Sequence, residues 1–325
     1  MDLLQSLVDY EKLGVPKGAG QTGQPQSFGL GRMHRLLTRL GSPHLRIPAV
    51  IHVVGSKGKG SVTTFLSSIL RCAGLQVGSY TSPSLHSLTE RINTTNPQTQ
   101  AEQRISEGEL EHLLVANWAT IRKQVKLERD EFGAHLSHFE VLTALAFQHM
   151  ATREVEVAVI EAGLGGVTDA TNVFSSENVA ATCLTSVGYE HVDVLGGSLE
   201  SIAQAKSGIA KRGRPMVVGG RPQYYSPPVW GIIKETCHKQ GAPLYGASEV
   251  VEWAASGDVS LGKTNRLSQT YTFNPISPEL GGGIDAVSLQ LLGDFQADNA
   301  ALALATCLLL RQEGTATNNL YGVAP

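Results

Sequence analysis

The chain has 325 residues, of which 42% are hydrophobic and 17% charged, and its formal net charge is −3. This composition is typical of a soluble globular protein with a sizeable core, and the charge provides no basic surface for nucleic acid. No apolar run approaches the roughly 20 residues that cross a bilayer, and the first dozen residues resemble neither a secretory signal nor a transit peptide. We therefore expect a cytoplasmic protein without nucleic-acid or membrane partners, with a mitochondrial location as the alternative.

The four cysteines are far apart in sequence and form no CxxC pair. This spacing favours reduced thiols over a disulfide framework or a zinc site. His135 and His138 are close to each other, but no third ligand follows at a spacing that zinc would need. We interpret both histidines as polar residues of a loop and a helix start.

The apolar residues predict strands that alternate with helices from the N-terminus onward. A polar stretch rich in Gly and Gln, residues 18–27, is typical of a loop and precedes the first predicted helix. The predicted strands are Ala49–Val54, Gln76–Tyr80, Val155–Ile160, Val179–Thr185 and Met216–Val218, and the predicted helices are Met33–Leu40, Ser61–Ala73, Ser137–Met150, Leu199–Ala210 and Gln296–Leu310. This alternation indicates βαβ units and a doubly wound, mainly parallel sheet of the α/β class.

The pattern changes after Arg221, where Gly, Pro and Ser become common. Alternating apolar residues at Thr270–Phe273 and over Val287–Leu291 favour short antiparallel strands. We expect residues 222–292 to form a small antiparallel extension of the α/β body.

A glycine-rich segment, GSKGKGS, occupies Gly55–Ser61 between a predicted strand and a predicted helix. Gly55, Gly58 and Gly60 allow a tight turn whose N–H groups, with the helix N-terminus, attract anions. Lys59 is placed to reach terminal phosphates, and the hydroxyl of Ser61 suits a magnesium ion. A glycine turn with solvated lysines is the alternative. The segment predicts an ATP-binding phosphate loop.

Polar residues also follow two other predicted strands. Glu161 ends one strand, and a carboxylate there points into the crevice where α/β folds bind ligands; a surface position is the alternative. His191 follows another strand, and Lys206 lies on a predicted helix, but each alone is more typical of a structural or solvated residue.

Six motifs occur in order along the chain: GSKGKGS, YTSPSL followed by TERI, LSHFEVLTALAF, IEAGLGGVTDATN, LTSVGYEHVDVLG and QAKSGI. Together they resemble the dihydrofolate synthase and folylpolyglutamate synthase family of the Mur ligase superfamily, over about residues 28–299. The resemblance implies an ATP-dependent ligase with ATP and Mg²⁺ as cofactors. In such enzymes the γ-phosphate passes to a pterin or folate carboxylate, and the amine of glutamate then displaces it to form an amide.

The resemblance also implies roles for individual residues. Lys206 matches a lysine that the family carbamylates, which would make it an anionic ligand of a second magnesium ion. Catalytic positions are Lys59, Lys206 and His191; metal positions are Ser61, Ser82, Glu161 and His191; nucleotide positions are Gly55, Gly58, Lys59, Gly60, Ser61 and Asn299; and substrate positions are Leu30, Gly31, Arg32, Ser137, Thr168, Asp169 and Ala170. Leu30–Arg32 belong to an N-terminal substrate loop, about residues 18–32. Because the metal positions follow separate strands, Glu161 and His191 should converge, with the amine of Lys206 directed at His191 or the metal.

Several positions depart from the family pattern, but none removes an expected metal ligand. They are Gly29, Ser56–Lys57, Ser84, Glu190 and Phe295. The residues after Asn299 are too few for the C-terminal glutamate-ligase domain of the family, so we expect this chain to lack it. A catalytically inactive ATP- and folate-binding fragment is therefore the alternative function. A generic P-loop NTPase or kinase leaves Glu161, His191 and Lys206 without a shared purpose.

The expected partners are small molecules: glutamate with dihydropteroate or tetrahydrofolate, bound by a monomer. The motifs LSHFEVLTALAF and FGLGRM resemble the branch that uses dihydropteroate, including bifunctional members. We therefore expect dihydropteroate to be the preferred acceptor.

Overall fold

The computed structural model describes residues 4, 6–15, 29–257, 259–261 and 267–316. The helices in these residues are α1 (Tyr10–Leu13), α2 (Gly31–Arg39), α3 (Lys59–Cys72), α4 (Glu107–Phe132), α5 (His138–Thr152), α6 (Val192–Leu195), α7 (Leu199–Ser207), α8 (Pro227–Gln240) and α9 (Asp294–Ala316). The strands are β1 (Ala49–Val54), β2 (Val77–Tyr80), β3 (Ile92–Thr95), β4 (Glu102–Arg104), β5 (Val157–Glu161), β6 (Val179–Leu184), β7 (Met216–Val218), β8 (Leu244–Gly246), β9 (Val251–Ala255), β10 (Ser260–Leu261), β11 (Leu267–Pro275) and β12 (Ile284–Leu289). The predicted loop at residues 18–27 lies outside the described part.

An eight-stranded sheet with the order β4-β3-β2-β5-β1-β6-β7-β8 forms the centre of the fold. The six strands from β2 to β8 in this order are parallel to their neighbours, while β3 and β4 add an antiparallel edge beside β2. The parallel part confirms the doubly wound α/β class predicted from the alternating pattern. Strand β1, which leads into the glycine-rich segment, lies between β5 and β6.

Both faces of the sheet are covered, which explains why its central strands are apolar throughout. In β1, Val50 packs among α2, α4 and α5 and Val54 packs against α7 and α8, while Ile51 and Val53 face α3 and α9 on the other side. No helix in the described part of the chain is long and apolar enough to cross a membrane.

The antiparallel extension begins later than the sequence suggested. After Arg221 the chain forms α8 and then β8, which pairs in parallel with β7 and so continues the main sheet. A separate four-stranded antiparallel sheet follows from Val251 to Leu289, with the order β10-β11-β12 and β9 beside β11. It packs on α9 through Tyr271 and Phe273. The alternating residues predicted the antiparallel type correctly, but not the intervening parallel unit.

Helix α4 is absent from the sequence-based prediction. Its buried face interrupts the apolar pattern, because Gln124 and Glu128 are buried there after Leu110, Leu114 and Ile121. Glu128 is held by Arg35 of α2 through bonds of 2.8 and 2.7 Å. A signal was nevertheless present: Ser106 and Glu109 form a reciprocal capping box at the N-terminus of the helix.

Leu66→Ala tests the packing of α3 on the sheet. Leu66 is completely buried among the side chains between α3 and the sheet, so the substitution leaves a cavity and should lower the free energy of unfolding by about 3 kcal/mol. Leu85→Ala is the matched control, because Leu85 is 87% exposed and its truncation should change stability by less than about 0.5 kcal/mol. Urea unfolding measures both; equal effects would contradict the packing described.

Candidate active site

The glycine-rich segment turns tightly at the carboxyl end of β1. Gly55 has a φ of +150°, and a Cβ there would lie 1.8 Å from the Oγ1 of Thr185. Gly58 has a φ of +86°, and its Cβ would lie 2.4 Å from the Oδ1 of Asn299. Side chains at either position would therefore collide with the structure, which is why glycine occupies both. The close approach also brings Asn299 of α9 to the loop, as the sequence motif implied.

The chain after β6 anchors this turn. The backbone N–H of Ser56 donates to the carbonyl of Ser186 at 2.9 Å, and the N–H of Lys57 donates to the Oγ of Ser186 at 3.0 Å. The hydroxyl of Thr185 donates to the carbonyl of Lys57 at 2.5 Å. These contacts fix the loop from the neighbouring strand. Thr185 and Ser186 belong to the motif LTSVGYEHVDVLG, but the sequence did not predict this anchoring role.

Lys59 is the first residue of α3, so its ammonium adds to the positive end of the helix dipole. Its Nζ donates to the carbonyl of Gly55 at 3.0 Å. A cleft opens beside this end of the helix. It is lined by Lys57, Gly58, Ser61, Thr185, Ser186, Val187, Gly219, Gly220, Tyr224, Tyr225, Phe295, Gln296, Asp298 and Asn299. Positive charge at one end and exposed aromatic rings at the other suit a nucleotide with a phosphate chain.

Glu161 and Ser82 meet at the adjacent strand ends. The backbone N–H of Ser82 donates to the Oε2 of Glu161 at 3.3 Å, and the same oxygen lies 3.6 Å from the position of a Cβ on Gly60. Glu161 is 4% exposed, and burial raises its pKa to about 7, against the opposing effect of Lys59. It is therefore a buried residue beside the phosphate loop and not a strand-end surface residue.

These groups fit a divalent cation that prefers oxygen ligands. The Oγ of Ser82 is buried without a hydrogen-bond partner in the described part of the chain, which leaves its lone pairs available beside the Glu161 carboxylate. Magnesium takes carboxylate and neutral oxygen ligands of this kind. The described residues include no group of three His, Cys, Asp or Glu that could hold a metal ion, so hydroxyls such as those of Ser82 and Ser61 would have to complete the set.

His191 and Lys206 are close to this edge. His191 lies at the start of α6 and lines a cavity together with Ser82; burial lowers its pKa. Lys206 is on α7 and is buried, but its Nζ donates to the Oε1 of Glu190 at 2.5 Å. In this structure the amine therefore binds Glu190, the residue before His191; that it is directed at His191 or a metal stays a prediction. Glu190, the longer side chain at a departure from the family pattern, supplies the partner. That Glu161 and His191 share one ion stays a prediction.

A cavity of about 430 Å³ opens on the other side of Ser82 and His191. Its lining is mainly apolar with a few polar groups: Tyr10, Glu11, Gly14, Val15, Gly29, Leu30, Arg32, Met33, Ser82, Pro83, Ser137, Phe139, Glu140, Gly163, Leu164, Thr168, Asp169, Ala170, His191 and Val194. Six of the seven predicted substrate positions are in this lining. The seventh, Gly31, starts α2 between two lining residues. Such a lining suits a flat aromatic ligand with a few polar edges.

Some of the polar groups that line this cavity already form hydrogen bonds within the protein. The hydroxyl of Ser137 caps α5 in a reciprocal pair with Glu140, and the Nε of Arg32 donates to the Oε1 of Glu140 at 2.9 Å. The Oδ2 of Asp169 accepts the N–H of Leu164 at 2.7 Å. These side chains therefore shape the cavity wall through contacts within the protein.

The N-terminal segment supplies residues that sequence reasoning missed. Glu11 lines the cavity and binds Arg91 through both carboxylate oxygens, at 2.8 and 2.5 Å. Arg91 also donates to the Oγ of Ser84 at 3.2 Å, which ties this segment to the loop that carries Ser82. The TERI motif contained Arg91, but nothing in its spacing identified Glu11 as the partner.

The sequence profile described as the Mur ligase middle domain matches residues 53–307. This chain belongs to the Mur ligase family. It is 31% identical over 299 residues to the dihydrofolate synthase/folylpolyglutamate synthase of Bacillus subtilis, with 89% of this chain and 61% of that protein covered. The chain thus spans about three fifths of the length of that relative.

Solved structures of Mur ligase relatives share the fold. An FPGS complex with AMPPCP and folate superposes with a TM-score of 0.73 at 27% identity, covering 95% of this chain and 68% of that one. The Mycobacterium tuberculosis folylpolyglutamate synthase complexed with ADP and AMPPCP superposes with a TM-score of 0.68 at 30% identity, covering 88% and 60%. These relatives confirm the family to which the six motifs pointed.

Glu161→Gln tests the buried carboxyl. The pKa of Glu161 is about 7 when folded, against an ordinary value of 4.5, so the folded state holds this proton more tightly than the unfolded state. The free energy of unfolding therefore falls as pH rises from the unfolded to the folded pKa. Glutamine stays neutral, so we expect the variant to be more stable at pH 8 by up to about 3 kcal/mol, and this gain to shrink toward pH 5.

Urea unfolding in EDTA at both pH values measures this difference. Glu131→Gln, at an exposed position of α4, is the control and should show no comparable gain. A stability difference for Glu161→Gln that is the same at pH 5 and pH 8 would refute the burial-raised pKa.

Proposed function

We propose that this chain binds ATP and a pterin or folate acid in a ligase that forms an amide with glutamate. The observation that carries the proposal is that Glu161 lies beside residues of both cavities at one sheet edge. The carboxyl ends of β2, β5, β1 and β6 lie side by side, so Glu161 accepts the N–H of Ser82, which lines the apolar cavity, and lies next to Gly60, the neighbour of Ser61 in the cleft. A γ-phosphate and an acceptor carboxylate bound in these cavities would meet at Glu161.

The residues of the loop perform the nucleotide binding. The N–H groups at the start of α3 and the ammonium of Lys59 attract the phosphates. Asn299, which lies against Gly58 and donates to the Oε1 of Gln296 at 3.0 Å, would contact the base. The bound ATP analogues in solved relatives support this assignment.

Ser61, Ser82 and Glu161 would hold Mg²⁺, which offsets negative charge as phosphate moves between anionic oxygens. His191 lies on the cavity side of this group, where it faces the acceptor. Burial lowers the pKa of Lys206, which favours the neutral amine that carbamylation needs, but the contact with Glu190 opposes it. We therefore propose carbamylation of Lys206 only where Glu190 moves away.

The apolar cavity suits the pterin ring of the acceptor. Phe139 and Leu164 provide flat apolar walls, and the backbone around Thr168–Ala170 provides polar edges. The folate in a solved FPGS complex supports this class of ligand. We propose dihydropteroate as the preferred acceptor, and a monomer as the acting form.

A second candidate is binding of ATP and folate without turnover. It is favoured by the coverage of only 61% of the Bacillus subtilis relative, because the matched residues span only part of that ligase's length. Phosphate release from ATP that depends on both glutamate and dihydropteroate would support the ligase. Binding of both ligands without release would support the second candidate, and release without glutamate would indicate a generic NTPase.

The acceptor preference is tested by comparing dihydropteroate with tetrahydrofolate as acceptors in steady-state kinetics of this protein. We expect kcat/KM to be higher with dihydropteroate than with tetrahydrofolate. Equal or better use of tetrahydrofolate would contradict the preference.

Gly58→Ala tests the phosphate loop. The new methyl group would lie 2.4 Å from the Oδ1 of Asn299 in a left-handed backbone conformation, so the loop or α9 must shift. We expect the affinity for AMPPCP to fall by about tenfold. Gly108→Ala, where a Cβ has no described atom within 4 Å, is the control. Titration calorimetry measures both, and an unchanged affinity for Gly58→Ala would exclude this loop as the phosphate site.

A further inference from the structure

A buried hydrogen-bond chain joins β1 to the wall of the apolar cavity. The Nε2 of His52 lies 2.8 Å from the Oγ1 of Thr171, and that hydroxyl donates to the Oδ1 of Asp169 at 2.5 Å. Asp169 also accepts the N–H of Thr171 at 2.9 Å and, through Oδ2, the N–H of Leu164 at 2.7 Å. His52, Thr171 and Asp169 are all at most 6% exposed, so water does not compete with these bonds.

The numbers of donors and acceptors determine which group donates in each bond of this hydrogen-bond chain. Thr171 has one hydroxyl proton, and it is used toward Asp169, so the same oxygen can only accept from His52. The ring of His52 is neutral, because burial lowers its pKa to about 3, and it therefore carries a single N–H. While Asp169 is ionised, that proton is therefore on Nε2.

The hydrogen-bond chain holds the turn Gly163–Ala170, which we call the wall turn. Leu164, Thr168 and Ala170 line the cavity. On its other side the wall turn is held by α7, where the N–H of Val167 donates to the carbonyl of Ala205 at 2.9 Å. The wall turn thus has one attachment on α7 and one on β1.

We propose that His52 is a positioning residue, which fixes the wall turn through the hydroxyl of Thr171 and the carboxylate of Asp169. His52 is on the strand that leads directly into the phosphate loop, and its side chain faces the same side of the sheet as Val50. Strand β1 therefore leads into the phosphate loop at its end and also supplies the residue that holds the wall turn. The effect on acceptor binding rests on the proposed function; the effect on the wall turn does not.

Two substitutions interrupt the hydrogen-bond chain with little change of side-chain volume: His52→Leu removes the ring donor, and Thr171→Val removes the hydroxyl. Each leaves a buried polar group without its partner. We expect either to weaken dihydropteroate binding by about tenfold and to change AMPPCP binding by less than about twofold. His52→Gln keeps an N–H near the position of Nε2 and should restore dihydropteroate binding to within about threefold. Thr306→Val, which removes a buried hydroxyl on α9, is the matched control and should bind dihydropteroate as the parent does.

Hydrogen exchange of the whole protein without ligands tests the same hydrogen-bond chain independently. The amides of Leu164 and Thr171 should exchange faster in His52→Leu and Thr171→Val, but not in His52→Gln or Thr306→Val, with the phosphate-loop amides unchanged. Nitrogen-15 NMR of the histidine ring should show the proton on Nε2.

Unchanged exchange in both disrupting variants, or a ring proton on Nδ1, would overturn the proposal. So would equal losses of dihydropteroate and AMPPCP binding. If the parent does not bind dihydropteroate, the proposed function fails, while the exchange of the wall turn still decides the role of His52. Should His52→Leu not fold, Thr171→Val and His52→Gln give the same decision.

Discussion

The parallel alignment of neighbouring strands is the constraint on which the site depends. Parallel strands end at the same edge of a sheet, so residues that are far apart in sequence become neighbours there. Ser82 follows β2, Glu161 ends β5, Gly55 follows β1 and Thr185 follows β6, and these four strands are consecutive in the sheet. The phosphate loop, the buried carboxyl and the contacts that anchor the loop all result from this order.

Burial at that edge controls the charges. Glu161 and Lys206 are both withdrawn from water, and burial shifts the pKa of each toward its neutral form. Their surroundings differ, however: Lys206 has a carboxylate partner in Glu190, while Glu161 accepts the N–H of Ser82 near Lys59. A buried carboxylate without an ion-pair partner destabilises the folded state when no ligand is bound. Such a cost is typical of a site whose charge is balanced by what it binds.

The sequence predicted what depends on local pattern and failed where distant packing decides. The phosphate loop was recognisable because strand, glycines and helix are contiguous, and Glu161 because it ends an apolar run. Helix α4 was missed because its inner face contains Gln124 and Glu128, whose burial depends on Arg35. The pairing of Lys206 with Glu190 and the attachment of the N-terminal segment through Glu11 depend on folding geometry, which spacing in the sequence does not encode.

The contact between Gly58 and Asn299 has an evolutionary consequence. The amide oxygen of Asn299 fills the space that a side chain at position 58 would need, so each residue limits the size of the other. A larger residue at position 58 requires a smaller residue at position 299 or a shift of α9, and it must also adopt the left-handed backbone conformation of Gly58. Although the two positions are far apart in sequence, they are therefore coupled, and a homologue that replaces this glycine is expected to change residue 299 as well.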